Sequence, residues 1–200
     1  VLRAGNLTRG FAGRSRALEG TRGHKRLQKS RPDDYEAEVP VSFSVERDGL
    51  EIDITGRMDG LTRSDDRPLI EEIKTITGEF DSSRPDNPVH WAQAKVYAAI
   101  VTRQQEFPQA DIKLTYVRLD PWEVHEDTRT YSREGLAAFF DDLLVLFLKW
   151  RRVYFDWAAQ RNTTIDTLDF PFAEYRQGQR RLVVAAYRAI ELECRRFAQA

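Results

Sequence analysis

Two segments with a two-residue hydrophobic period, joined by Asp48-Gly49, restrict this 200-residue chain to folds built on an antiparallel hairpin. In "YEAEVPVSFSVERDGLEIDITGRMDGL", Val41, Phe43 and Val45 alternate with polar residues, and Leu50, Ile52 and Ile54 do the same. Side chains on a strand alternate between faces, so each run buries one side and wets the other. Asp-Gly between such runs is a two-residue turn signal, because both turn positions take positive φ. After "TRSDDRP", the stretch "PLIEEIKTI" predicts a third strand over 69–75. On it, Glu72 and Lys74 share one face, and Leu69, Glu71 and Ile73 share the other.

The flanking segments set the class. A helix is expected over about 15–30, its first half weakened by Gly20 and Gly23. A second follows the Gly/Ser/Pro-rich connector "TGEFDSSRPDNP" and spans about 88–105, with Trp91, Ala94, Lys95 and Ala98 on one side by three- and four-residue spacing. "DIKLTYVRL" at 111–119 alternates as a strand, and a long amphipathic helix covers about 133–160. The order helix, three strands, helix, strand, helix describes an α/β fold with a small mixed central sheet flanked by helices. No Gly-rich strand-to-helix turn supports a dinucleotide-binding fold.

Composition excludes several classes. The longest apolar run, "LLVLFL" at 143–148, is far too short for a bilayer, and no secretory signal is visible. The expectation is a cytoplasmic protein, nucleoid-associated in a bacterium. One cysteine, Cys194, permits neither an internal disulfide nor an iron–sulfur cluster held by this stretch. Net charge is only −1, yet residues 1–31 hold nine basic side chains against one acid, Glu19. That block reads as a solvated arm or as a phosphate-tracking surface. The chain begins at Val, which reads as an excised piece.

Asp59 closes the hairpin's second strand in "GRMDGL", and consecutive strands are usually neighbours, so Asp59 and Glu72 can meet. Two carboxylates ~4 Å apart repel by ~4 kcal/mol at an intermediate dielectric. A divalent ion relieves that repulsion, and hard oxygen ligands favour magnesium or manganese over zinc. Plainer readings stand beside this one. Acid and base on a strand can be a solvent-facing ion pair worth under ~1 kcal/mol. Asp59 can be a turn aspartate, His24 a capping histidine, and Gln93 and Tyr97 polar neighbours one helical turn apart.

Taken together, "GTRGH" (20–24), "GRMDG" (56–60), "EEIKT" (71–75) and "QAKVY" (93–97) resemble the RecB-like branch of the PD-(D/E)xK nucleases over about residues 18–120. The resemblance implies a restriction-endonuclease-like core over residues 1–160 and Mg²⁺- or Mn²⁺-dependent hydrolysis of DNA phosphodiesters. It implies metal ligation by His24, Asp59, Glu72 and the backbone carbonyl of Ile73, with Lys74 as the catalytic lysine. Gln93 and Tyr97 correspond to the motif that lies against DNA and supports the site. Glu71 faces away from Lys74, so the ligand role goes to Glu72; Glu38 is a further acid at a position where the family often has one. Arg22, Lys25, Arg84 and Lys95 are the cations expected to grip the backbone.

The tail "FPFAEYRQGQRRLVVAAYRAI", 170–190, resembles the opening motif of DinG/XPD-like superfamily 2 helicases, in which an aromatic-Pro segment and a Gln sit against adenine. That resemblance implies roles for Phe170, Arg176 and Gln179 in an incomplete nucleotide site, with 161–200 as a linker and the first segment of a helicase. No Walker A sequence is present, so ATP is a cofactor only of the missing motor. The alternative for 174–199 is an ordinary amphipathic helix. The implied whole is the nuclease part of a nuclease–helicase polypeptide fed with single-stranded DNA. The rival functions are a catalytically silent DNA-binding or docking module, and an α/β domain that binds protein partners.

Overall fold

A computed structural model of the chain describes residues 14–64, 66–76, 80, 87–169 and 172–192, with backbone alone at 14–19 and 166. The elements are α1 (Arg14–Gln28), β1 (Tyr35–Arg47), β2 (Leu50–Thr62), β3 (Leu69–Ile76), α2 (Pro88–Gln104), β4 (Gln109–Leu119), β5 (Trp122–Ser132), α3 (Arg133–Asp166) and α4 (Gln179–Glu191). The chain divides into two units, 1–147 and 148–200.

The first unit holds one five-stranded sheet in the order β1-β2-β3-β4-β5. Its hairpin forms as the alternation predicts. Arg47 pairs with Leu50 and the register runs to Tyr35↔Thr62, with one step skipped between Val39↔Met58 and Ala37↔Gly60, at Glu38. Asp48 at φ 55° and Gly49 at φ 74° make the turn. Both strands extend well past the alternating residues, because pairing continues wherever a neighbour supplies backbone partners.

β3 and β4 are the parallel pair. Parallel neighbours need a long crossover, and α2 supplies it. Asn87 caps that helix, its side chain accepting the Val89 amide at 3.0 Å, with Pro88 at the first helical position. Ala94 and Ala98 are fully buried and bring α2 close to the sheet, where Trp91, Ile70, Ile112, Leu114 and Met58 complete the core. On the opposite face Leu27 of α1 covers Ile73 and Val117. Ile70 and Ile73 are both 0% exposed, and burying such a side chain contributes about 1.5–3 kcal/mol.

One expectation needs correction. The strand pattern stops at 119, but the chain turns through Asp120-Pro121 and returns as β5, pairing with β4 from Leu119↔Trp122 to Gln109↔Ser132. "WEVHEDTRTYS" lacks an apolar alternation because β5 is an edge strand, largely exposed, which tolerates charge on both faces. Gly23 lets α1 approach the sheet closely. A Cβ on Gly23 would lie 2.6 Å from the Leu119 side chain.

In the second unit, α3 continues beyond the expected residue 160 to Asp166, and α4 has no buried residue. Phe170 lies outside the described residues. Gln179 opens α4, its side-chain oxygen accepting the Arg176 amide at 2.9 Å.

Candidate functional site

β2 and β3 pair only at Gly60↔Glu71, Leu61↔Ile70 and Thr62↔Leu69. The next step of that register would set Asp59 opposite Glu72, and there the ladder ends. Asp59 fills the break: its Oδ2 accepts the Ile73 amide at 2.7 Å. Its Oδ1 lies 3.6 Å from Nδ1 of His24 on α1. The Asp59 carbonyl is held as well, accepting Gln28 Nε2 at 2.9 Å and the Tyr35 hydroxyl at 3.2 Å. Four-residue spacing puts His24 and Gln28 on one side of α1, so one helix face serves both atoms of the aspartate.

Glu72 is 1% exposed. One carboxylate oxygen is paired to the Lys74 ammonium, two residues on along the same strand face. The other, Oε2, is buried with no hydrogen-bond partner among the described residues. Burial pushes the Glu72 carboxyl up to about 7; Lys74 opposes that rise, nearby Asp59 adds to it, and His24 opposes it. A buried, unsatisfied carboxylate oxygen is costly unless a proton or cation meets it. Lys74 Nζ also lies 3.4 Å from Gln93 Oε1 on α2. One turn further along α2, the Tyr97 ring sits on Gly56, where a Cβ would come within 2.8 Å of it.

The residues present fit a hard divalent cation: two carboxylates, an imidazole and one orphaned buried oxygen. Among the described residues no three His, Cys, Asp or Glu side chains already form a group able to hold an ion. His24–Asp59 is one contact and Glu72–Lys74 another.

Several expected residues lie elsewhere. Glu71 faces the other side of β3, paired with Arg31 and hydrogen-bonded by Thr115. Arg31 reaches Glu126 as well, at 2.6 Å. Glu38, at φ 58°, falls at the step the hairpin pairing skips, and is bound to Arg57 at 2.8 Å and Gln28 at 3.1 Å. Arg22 and Lys25 are exposed on α1. Lys95 turns away from Gln93 and lies over the rings of Tyr131, at 4.6 Å, and Phe139, at 5.2 Å. Arg84 lies outside the described residues. Ile73, expected to offer its carbonyl, engages Asp59 through its amide.

Sequence reasoning missed Gln28, Tyr35, Tyr116 and His90. Tyr116 is the register partner of Lys74 on β4, and its hydroxyl lies 3.0 Å from His90 Nδ1. Burial, with the Lys74 charge, holds His90 below the usual histidine range. Only Gln28 carried a sequence signal, its helical spacing from His24.

A model of the PD-(D/E)XK nuclease superfamily matches residues 6–195. A comparison with curated proteins gives no match. Among solved structures, the protein SSO0001 aligns with 67% of this chain at 20% identity and a TM-score of 0.45. This chain spans 61% of that protein's length.

Proposed function

The chain belongs to the PD-(D/E)XK nuclease superfamily, and from that premise we propose that it is a RecB-like, Mg²⁺- or Mn²⁺-dependent deoxyribonuclease acting by preference on single-stranded DNA. The observation that carries this reading is the buried Glu72 carboxylate, one oxygen on Lys74 and the other without a partner. Asp59, His24, Glu72 and the Ile73 carbonyl would hold the ion. Such an ion supplies charge against phosphate oxygens and acidifies water.

The chain's own residues do the rest. Glu72 must release its proton before it can serve as a ligand, so its elevated pKa sets a lower pH limit. Lys74 orients the attacking water by hydrogen bonding and offers positive charge where phosphate charge builds up. Gln93 steadies the Lys74 ammonium, and Tyr97 braces α2 against the hairpin. Arg22 and Lys25 grip phosphates without reading bases.

We also assign residues 1–160 to the nuclease domain and 161–200 to a linker and the first segment of a DinG/XPD-like helicase, with Arg176 and Gln179 toward its adenine site. The support is the tail's resemblance and the exposed apolar side chains of α4, Leu182, Tyr187 and Ile190. Among the described residues no helix is long and apolar enough to cross a membrane. A place in DNA processing or repair, in the cytoplasm and at the nucleoid, follows from the proposed substrate.

The test is cleavage of labelled single- and double-stranded DNA with Mg²⁺ or Mn²⁺ by the wild type, Glu72→Ala and Lys74→Ala. Cutting by the wild type alone, with binding kept in both variants, is expected. Binding without cutting by the wild type in either ion would make the chain a silent docking module. No DNA affinity at low salt would remove both readings.

A further inference from the structure

α2 has a second functional side. Trp91 and Lys95, four residues apart, stand together on it, and Gln93 midway between them points elsewhere. Arg129 and Tyr131 pair with Ile112 and Ala110, so they share the sheet face that α2 covers. With Phe139 of α3, Pro88 and Ala92, these side chains line a cleft of about 510 Å³. The Arg129 guanidinium lies 4.1 Å from the centre of the Trp91 ring, and Lys95 covers Tyr131 and Phe139. Trp91 is 5% exposed, and its indole Nε1 is buried with no hydrogen-bond partner among the described residues.

We propose that this cleft is a nucleotide subsite, separate from the Glu72–Lys74 constellation, taking an aromatic base against the half-buried Tyr131 and Phe139 rings and a phosphate on Lys95 and Arg129. Two cations line the cleft and no acid does, although Asp127, outside it, bonds Arg129 at 2.6 Å. The volume falls within the ~300–1,000 Å³ of small-ligand sites. Base-on-aromatic stacking tolerates any base, which suits a site that holds a strand without reading it. The shared chemistry is a nucleoside phosphate, either free or as one unit of a strand. The strand source rests on the nuclease reading; the cleft's chemistry does not.

The test uses the intact chain in EDTA, so that nothing is cut. Binding of a short labelled single-stranded oligonucleotide is followed by anisotropy, and of free dAMP by calorimetry. Arg129→Ala and Lys95→Ala are each expected to weaken binding about tenfold, the scale of one lost stacking or cationic contact. Arg63→Ala, a surface arginine paired with Glu36, is the control for general charge. Melting curves confirm that each variant folds. Losses for the oligonucleotide place a strand unit in the cleft; losses for dAMP alone place a free nucleotide there. Unchanged affinity for both ligands, equal loss in Arg63→Ala, or no binding by the wild type overturns the subsite. A wild type that binds through the cleft and yet cuts nothing would sink the nuclease reading and leave the subsite standing.

Discussion

The carboxylate of Asp59 takes the place of a strand–strand hydrogen bond, accepting the Ile73 amide at 2.7 Å where β2 and β3 part. The same carboxylate lies beside His24. Its structural and ligand roles can therefore be separated. Asp59→Asn keeps an acceptor for the Ile73 amide and should melt within about 1 kcal/mol of the wild type, with cleavage reduced at least about 100-fold. Asp59→Ala should lose both, at a stability cost of about 1–3 kcal/mol. Equal melting of the two variants would refute the structural role.

Glu72 carries a pH signature. Its folded pKa, about 7, lies above the ordinary 4.5. The folded protein thus keeps a proton that the unfolded chain loses between those values. The stability this contributes is full below about 4.5 and is lost as pH rises through about 7. Glu72→Gln should therefore be more stable than the wild type at pH 8, by at most about 3 kcal/mol, with the gap closing toward pH 5. Thermal melts across that range, without added metal, decide it.

Metal binding should show the same group from the other side. Calorimetric Mn²⁺ affinity is expected to fall roughly tenfold per pH unit below about 7 and to level off above it, since ligation needs the carboxylate. Affinity independent of pH between 5 and 8 would exclude Glu72 as a ligand.

Lys74 lowers the Glu72 pKa by its charge and hydrogen bond. Lys74→Met should cut the cleavage rate about 10²–10³-fold and move the pH midpoint of Mn²⁺ binding upward. A purely structural lysine would leave that midpoint where it was.

On the opposite face, Arg31 neutralises Glu71, which is 1% exposed. Arg31→Met strands a buried carboxylate and should cost about 3–5 kcal/mol, whereas Arg31→Met with Glu71→Met should recover much of it. Denaturant melts of the two variants and the wild type measure the difference.

Local chemistry made part of this protein legible in the sequence. Alternation and Asp48-Gly49 determined the hairpin, because strand period and turn φ depend only on neighbouring residues. The two-residue spacing of Glu72 and Lys74 put them on one face, and α2 followed from the three- and four-residue spacing of Trp91, Ala94 and Ala98. The tertiary structure decided the rest. β5 escaped notice since an edge strand needs no apolar face. Glu71 and Glu72 look alike in sequence, yet one meets Arg31, 40 residues away, and the other meets Lys74. Lys95 belongs to an aromatic cleft completed by Arg129 and Phe139, and Asp59 owes its place to a ladder that stops one step short. Such outcomes depend on which distant surfaces pack together, and periodicity within a segment carries no information about its partner.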